Sequence, residues 1–227
     1  MNRLLIFFLF LVLGTTTQAQ INELGIFAGG SNYIGDIGPT NYINPNKLAL
    51  GFLYKWNRST RHSYRFSYTH ARIASNDLDA SAANRHDRGY SFKNTINEFS
   101  AGLEFNFFNF DLHNLDNQFT PYIYTGLSYF SYNELYHLNS EYKKDDREST
   151  FAIPMTVGVK SRFAKNFVIG FEISARYTFT DNLDGSNPKN DNLSYLKFGN
   201  INSKDWYVFT GFTLTYTFGE NPCFCPN

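Results

Sequence analysis

The sequence lacks an excess of charge of either sign and has almost no long hydrophobic run. Its 20 Lys and Arg residues balance 20 Asp and Glu residues. We therefore expect no nucleic acid partner, because phosphate binding requires a clear excess or cluster of basic residues. The longest apolar run, residues 4–13, is about half of the roughly 20 residues that a membrane-spanning helix needs. This excludes a helical protein with several membrane spans.

Cysteine is almost absent as well. Cys223 and Cys225 are the two cysteines, and both lie in the final segment, residues 219–227. A spacing of two residues hardly closes a relaxed internal disulfide. We favour a disulfide or another tether to a partner protein; a strained internal bridge and a site formed by two thiolates on a metal are the alternatives.

Catalytic and metal-binding motifs are also missing. The five histidines are scattered, and no His or Cys pair has metal-ligand spacing. No serine lies in a Gly-x-Ser-x-Gly turn. Residues 181–191 are rich in oxygen ligands but lack the ordered carboxylates of a helical calcium loop, so we interpret them as a solvated loop. We predict no catalytic residue, metal or cofactor, although separate loops could still assemble an active site.

The first 19 residues have the features of a signal peptide. Arg3 gives a short basic start, residues 4–13 form the apolar core, and a small, polar stretch ends at Ala19. We predict cleavage after Ala19 and export of the remaining chain. An uncleaved anchor is the alternative, but the apolar run is too short to span a membrane.

Aromatic residues are abundant, at 19% of the chain, and they recur at every second position. In one segment, Phe171 and Ile173 alternate with Glu172 and Ser174. Such a two-residue period predicts β-strands with one apolar and one polar face. The pattern occurs eight times, in residues 22–30, 48–56, 62–73, 99–107, 120–132, 151–163, 167–179 and 206–218.

The polar face carries charges and glycines, which favours a membrane barrel. A soluble barrel exposes its charged face to water, whereas a small membrane barrel fills its lumen with paired charges. A secreted β-sandwich or a lipocalin-like calyx is the alternative. The predicted lumenal charge cluster comprises Lys55, Arg65, Glu104, Lys160, Arg162, Glu172 and Arg176.

The connections alternate in length, as in outer-membrane barrels. We therefore predict an all-β fold for residues 20–218: an eight-stranded antiparallel transmembrane β-barrel with short periplasmic turns, four long extracellular loops and a periplasmic tail at 219–227. Aromatic residues near the strand ends fit the bilayer interface. The short connections are residues 57–61, 111–118 and 164–166, and the long ones are 31–46, 75–94, 133–149 and 180–204.

An eight-stranded barrel is just wide enough for side chains to fill it, so we do not expect a diffusion pore. The lumenal charges could line a conduit, but we favour a plug, because an unpaired buried charge is costly. Arg176 lies four residues from Glu172 on the same face of one strand, and neighbouring strands offer further partners.

Four segments resemble a known family. Residues 25–38, 64–68, 92–107 and 121–130 are similar to the PorG-like outer-membrane β-barrels of the type IX secretion system in Bacteroidota. The distinctive part includes Tyr33, Gly35 and Asp36, for which we expect a turn-forming role. The resemblance implies a secretion accessory that places a periplasmic ring, built from a lipoprotein and its soluble partner, at the membrane. It implies no catalytic residues.

Together, these features predict an exported outer-membrane protein with both termini in the periplasm. We interpret it as a non-enzymatic scaffold of type IX secretion, with a link to gliding motility. Its expected partners are outer-membrane lipid and the periplasmic ring, which its turns and the Cys223/Cys225 tail would contact. The alternatives are an outer-membrane enzyme with catalytic loops and a surface adhesin that uses the long loops.

Overall fold

The computed structural model describes residues 21–219, apart from residues 115, 140 and 201. The predicted signal peptide, Cys223 and Cys225 lie outside the described residues. The eight strands are β1 (Ile21–Ile34), β2 (Lys47–Asn57), β3 (His62–Asn76), β4 (Ser91–Asn106), β5 (Phe119–Leu138), β6 (Glu141–Ala164), β7 (Phe167–Thr178) and β8 (Trp206–Phe218).

Each strand pairs with the next in antiparallel orientation, and β8 pairs with β1 to close the barrel. Closure gives every strand a paired neighbour on both sides, which matters because lipid cannot satisfy a free backbone amide or carbonyl. The predicted eight-stranded antiparallel barrel is confirmed. None of the described helices is long and apolar enough to span a membrane.

The two faces of the strands are inverted relative to a soluble protein. Leu103 and Phe212 point outward and are 40% and 58% exposed. Arg176 and Lys160 point inward and are 4% and 2% exposed. Large apolar side chains therefore cover the outer wall while ionic side chains fill the axis, which is the arrangement of a transmembrane barrel.

The two ends of the barrel differ. At one end, the short-turn end, the connections are residues 58–61, 107–118 and 165–166. At the other, the long-loop end, residues 35–46, 77–90 and 179–205 form three long loops. These loops contain helix α1 (Ala83–Arg88) and two short 3-10 turns, Asp77–Asp79 and Asp191–Leu196.

The fourth connection at the long-loop end is a hairpin, so the prediction of a loop at 133–149 is wrong. β5 and β6 stay paired as far as Leu138 and Glu141, with one irregularity between Asn133 and Leu135. Residues 143–147 are exposed on both faces, so they lack the alternation that reveals a strand. β4 is also longer than predicted, since it begins at Ser91.

The inverted faces predict a specific effect at Val157. This side chain is 58% exposed, and its outward-facing neighbours on the adjacent strands are Ile123 and Ile173. We expect Val157→Arg to lower the free energy of unfolding by about 2–4 kcal/mol, because the guanidinium would face hydrocarbon. Urea unfolding in phosphatidylcholine vesicles measures this loss.

Val157→Ala is the control, because it removes apolar area without adding charge. We expect it to cost about 1 kcal/mol or less. Equal losses in the two variants would show that position 157 does not face lipid.

Candidate functional site

The lumen is filled by side chains of opposite charge. Each of these groups is at most 4% exposed, and their numbers balance, so the interior is close to neutral. The carboxylates are Glu23, Glu98, Glu104 and Glu172, and the cations are Lys55, Arg65, Lys160 and Arg176.

Glu104 on β4 is the centre of this network. Lys160 Nζ lies 2.6 Å from Glu104 Oε1, and Lys55 Nζ lies 2.8 Å from Glu104 Oε2. Arg65 is a third neighbour, with its Nη1 at 3.6 Å. One carboxylate therefore connects four strands, β2, β3, β4 and β6, across the lumen.

Arg65 and Glu172 form a second contact across the lumen. The guanidinium donates to both carboxylate oxygens, at 2.7 and 2.8 Å, and Tyr122 donates its hydroxyl hydrogen to Glu172 at 2.6 Å. Two parallel hydrogen bonds fix both direction and distance. The pair therefore holds β3 and β7 at opposite sides of the barrel.

Arg176 pairs with Glu98 rather than with Glu172 on its own strand. Its Nε lies 3.0 Å from Glu98 Oε2, and Tyr207 donates to the same oxygen at 2.6 Å. Residues four apart along a strand are separated by roughly 13 Å, so a partner across the lumen is nearer than Glu172.

Arg162 has a different role from the rest of the predicted cluster. It is 3% exposed, but it donates to the backbone carbonyls of Leu112 and Asn114 in the 107–118 turn. In the same turn, Phe110 is buried, and its ring lies 5.0 Å from Lys160 Nζ. Arg162 thus holds the turn over the short-turn end, where Phe110 closes the lumen.

The 107–118 turn is also bonded to the neighbouring turn, residues 58–61. The Phe110 amide donates to the Thr60 carbonyl at 3.0 Å, and Arg61 Nε donates to Asn109 Oδ1 at 2.7 Å. Within the longer turn, Gln118 donates to the Asp111 carbonyl at 2.6 Å. We call residues 58–61 and 107–118 together the turn platform.

The three motif residues lie at the long-loop end, where β1 ends and the first long loop begins. Tyr33 donates to Asp205 of the 179–205 loop, and Asp36 accepts the Asn200 amide at 3.1 Å. Gly35 follows β1 in a bend, where a Cβ would collide with the Tyr33 hydroxyl and with Asp205. Besides bending the chain, these residues therefore connect the first long loop to the last.

The middle long loop is held by an ion pair. Arg88 Nε lies 2.7 Å from Asp77 Oδ2, and Arg88 Nη2 donates to the Asp36 carbonyl at 2.7 Å. The rings of Tyr90 and His137 stack at 4.7 Å, and Phe198 packs on both. The three long loops therefore form one cap over the lumen.

The interpretation of residues 181–191 as a solvated loop is wrong for its first half. Asp181, Leu183 and Asp184 are at most 4% exposed. The Leu183 amide donates to Asp205 Oδ2 at 2.8 Å. The segment folds into the mouth of the barrel, where hydrogen bonds within the protein replace those to water.

Among the described residues, no group of three His, Cys, Asp or Glu side chains is placed to hold a metal ion.

Several residues of these networks are absent from the lumenal cluster predicted from the sequence. Glu98 lies one residue before the predicted start of its strand, yet in the inward phase of the same alternation, so extending the pattern would have found it. Tyr122 and Tyr207 also lie on inward faces. No local pattern indicates Asp205, whose partner Tyr33 is 172 residues away.

Comparison with known proteins gives one family and several structures. A family model described as "Domain of unknown function (DUF6089)" matches residues 2–227. A search of curated proteins finds no match. Among solved structures, Ail, the attachment invasion locus protein of Yersinia pestis, in complex with the heparin analogue sucrose octasulfate, is 10% identical, with a TM-score of 0.48 and coverage of 88% of this chain and 99% of that one.

Two further structures match with comparable identity and coverage. The N-terminal β-barrel domain of Pseudomonas aeruginosa OprF is 12% identical, with a TM-score of 0.47 and coverage of 88% of this chain and 98% of that one. Neisserial surface protein A is 9% identical, with a TM-score of 0.42 and coverage of 88% and 96%. At these identities and TM-scores, the three structures assign no function to this chain.

The central role of Glu104 predicts a large effect of its neutralisation. Glu104→Gln leaves Lys55 and Lys160 buried without their carboxylate, and we expect a loss of about 3–5 kcal/mol in the free energy of unfolding. Urea unfolding in vesicles measures it. The control is Lys189→Gln, which breaks the exposed pair with Glu148 and should cost about 1 kcal/mol or less. Similar losses would contradict the network.

The cap is expected to depend on pH through Asp181. Burial, together with Asp36 and Asp184, raises the pKa of Asp181 from 3.8 to about 6. The protonated form therefore stabilises the folded cap. This stabilisation is complete below pH 3.8 and is lost as the pH rises through about 6.

Hydrogen exchange of the 179–205 loop, corrected for intrinsic rates, measures this change. We expect wild-type protection to fall between pH ~4 and ~7 and Asp181→Asn, which is neutral throughout, to show a smaller fall. Burial also raises the pKa of Asp184 and of Asp205, so part of the dependence should remain. Identical profiles would rule out a contribution from Asp181.

Proposed function

We propose that this chain, which belongs to the DUF6089 family, is a non-enzymatic outer-membrane component of a type IX protein secretion machine. In this proposal it anchors a periplasmic ring, made of a lipoprotein and its soluble partner, through the turn platform and the C-terminal tail. The observation that carries the proposal is that buried ion pairs fill the lumen and hydrogen-bonded connections lie at both ends.

The filled lumen argues against transport through the barrel. A conduit would require Glu104 to leave two lysines, and Glu172 to leave Arg65, while all of them stay buried. Separating buried pairs in this way is strongly unfavourable. The surfaces that remain available to a partner are the two ends and the outer wall.

The two ends support an orientation in the outer membrane. Barrels of this class have short turns toward the periplasm and longer loops toward the exterior. Exposed aromatic side chains lie near the short-turn end, among them Phe107, Phe163 and Phe218, as expected for the inner interface of the bilayer. The turn platform would then face the periplasmic ring.

The turn platform suits docking because hydrogen bonds hold its described residues in place. Arg162, Arg61 and Gln118 each bond within it or to it, so little conformational entropy would be lost on binding. Gly219, the last described residue, lies in a groove beside His113 and Lys165 at the same end. The tail with Cys223 and Cys225 therefore starts next to the platform.

The assignment to type IX secretion rests on the resemblance of residues 25–38, 64–68, 92–107 and 121–130 to PorG-like barrels. In the structure, the first segment includes Tyr33 and Asp36 of the cap, and the third provides Glu98 and Glu104 of the lumen. The similar segments thus coincide with residues on which the barrel depends. A link to gliding motility belongs to the same proposal.

Charge reversal on the turn platform tests the proposal. Asp116 and Asn117 are exposed there, and we expect Asp116→Arg/Asn117→Arg to reduce recovery of secretion components roughly tenfold, since a misplaced charge at an interface is strongly unfavourable. The measurement is affinity purification after mild solubilisation without reductant. Asp146→Arg, an exposed aspartate on the hairpin at the other end, is the control and should behave as wild type.

A second arm tests the tail. If Cys223 or Cys225 forms a tether, non-reducing electrophoresis of wild-type membranes shows a heavier species that Cys223→Ser/Cys225→Ser lacks. Recovery of the barrel alone from wild-type cells would overturn the scaffold proposal. Unchanged secretion with loss of surface attachment, after replacement of the hairpin tip, would favour the adhesin instead.

A further inference from the structure

We propose that a basic groove on the rim of the barrel binds the phosphate groups of an anionic lipid headgroup in the outer leaflet. The inference rests on the orientation given under the proposed function. The groove lies at the long-loop end and has a volume of about 370 Å³. We call it the rim groove; the residues that line it and carry the argument are Lys47, Arg72, Lys93, Asn94, Tyr142 and Lys144.

Four cations from four different strands meet in the rim groove. Arg72, Lys93 and Lys144 are exposed and Lys47 is half-buried. Among the described residues, none of these four side chains forms an ion pair. The contrast with the lumen is clear, because Lys55, Arg65, Lys160 and Arg176 each have a carboxylate partner there. Unpaired cations gathered in one groove are suited to an anion from outside the chain.

Two acidic residues of the hairpin bond to the 179–205 loop. Asp145 accepts a hydrogen bond from the Asn190 side chain at 3.1 Å, and Glu148 pairs with Lys189 at 3.0 Å. Both partners belong to the 179–205 loop. The adjoining groove, of about 300 Å³, has one carboxylate in its lining, Asp79. The hairpin therefore presents Lys144 to the rim groove while Asp145 and Glu148 bond to the cap.

The rim groove is held in shape by Asn94. Its Nδ2 donates to the carbonyls of Asn133 and Leu183, at 2.7 and 2.8 Å, and its Oδ1 accepts the Asn133 amide at 3.0 Å. These bonds fix the hairpin against β4 beyond the point where β4 and β5 stop pairing at Asn97. Tyr142 packs against the buried apolar core of the protein. The positions of Lys93 and Lys144 are thus set before any ligand binds.

The height of the rim groove favours a lipid as the source of the phosphate. Tyr68 and Phe99 are paired and exposed on the outer wall. Arg72 follows Tyr68 by four residues, or roughly 13 Å along the strand, which is about 10 Å along the membrane normal at the usual tilt. Leu48, next to Lys47, is 63% exposed. The cations therefore lie just above the apolar belt, at the level of lipid headgroups.

The test measures retention of a phosphorylated lipid. The full barrel is placed in phosphatidylcholine nanodiscs that contain bis-phosphorylated lipid A, and native mass spectrometry counts the lipid A that stays bound after release. We expect Arg72→Gln/Lys93→Gln to lower retention about tenfold or more, because each basic residue near a membrane surface contributes substantially to binding of anionic lipid. Lys143→Gln/Lys197→Gln removes the same charge from exposed positions outside the groove and should retain lipid A as wild type does.

The other outcomes are equally decisive. An equal loss of lipid A retention in the two double variants would show that only net charge matters. Equal retention of lipid A stripped of its phosphates would show that the acyl chains bind. Either result overturns the proposal. Displacement of lipid A by inorganic phosphate at similar concentration would identify a free anion as the ligand and also overturn it. Recovery of secretion components should be unchanged in Arg72→Gln/Lys93→Gln, so the failure of this site and that of the scaffold are distinguishable.

Discussion

The structure depends on one constraint: hydrocarbon outside the wall offers no partner to a polar group, so the wall and the lumen have to satisfy all of them. Closure of β8 onto β1 satisfies the backbone. The lumen satisfies the side chains, because Glu104, Glu172 and Glu98 each accept from a cation on a different strand. These pairs run across the barrel rather than along its wall. They therefore resist widening of the barrel.

Because side chains fill the lumen, a partner would bind at the outside of the barrel. The contacts that hold the connections differ between its two ends. At the short-turn end, Arg162 reaches from the lumen to hold the 107–118 turn, so the interior directly supports the turn platform. At the long-loop end, Tyr33 and Asp36 bind the last loop to the first. Buried carboxylates gather there, and burial raises the pKa of Asp184 and of Asp205. The short-turn end is thus held by hydrogen bonds from the Arg162 guanidinium, whereas the cap includes groups that can take up protons.

Much of the fold could be predicted from the sequence because a transmembrane strand has to alternate. Residues 151–163 and 167–179 show this alternation plainly, and their inward charges indicated a filled lumen. The alternation fails where the strand leaves lipid: residues 143–147 are exposed on both faces, so β6 could not be followed to Glu141. Residues 181–186 are mostly polar yet buried, because they bond to Asn94 on β4 and to Glu134 and His137 on β5, which are far away in the sequence. Arg176 pairs with Glu98 because the closed barrel brings β4 and β7 together across the lumen. The sequence of a single strand does not indicate this contact.

The basic residues of the lumen have carboxylate partners, whereas in the described part of the chain those of the rim groove have none. This difference follows from solvation. In the lumen, an unpaired Lys55 or Arg65 would face little water, so each has a carboxylate within 2.8 Å. On the rim, Arg72 and Lys93 are exposed to water and need no partner for the barrel to be stable. Four such groups repel one another, and the hairpin could have neutralised Lys144 with Asp145. Instead Asp145 bonds to Asn190, so the groove keeps its positive charge for a ligand that the membrane itself can supply.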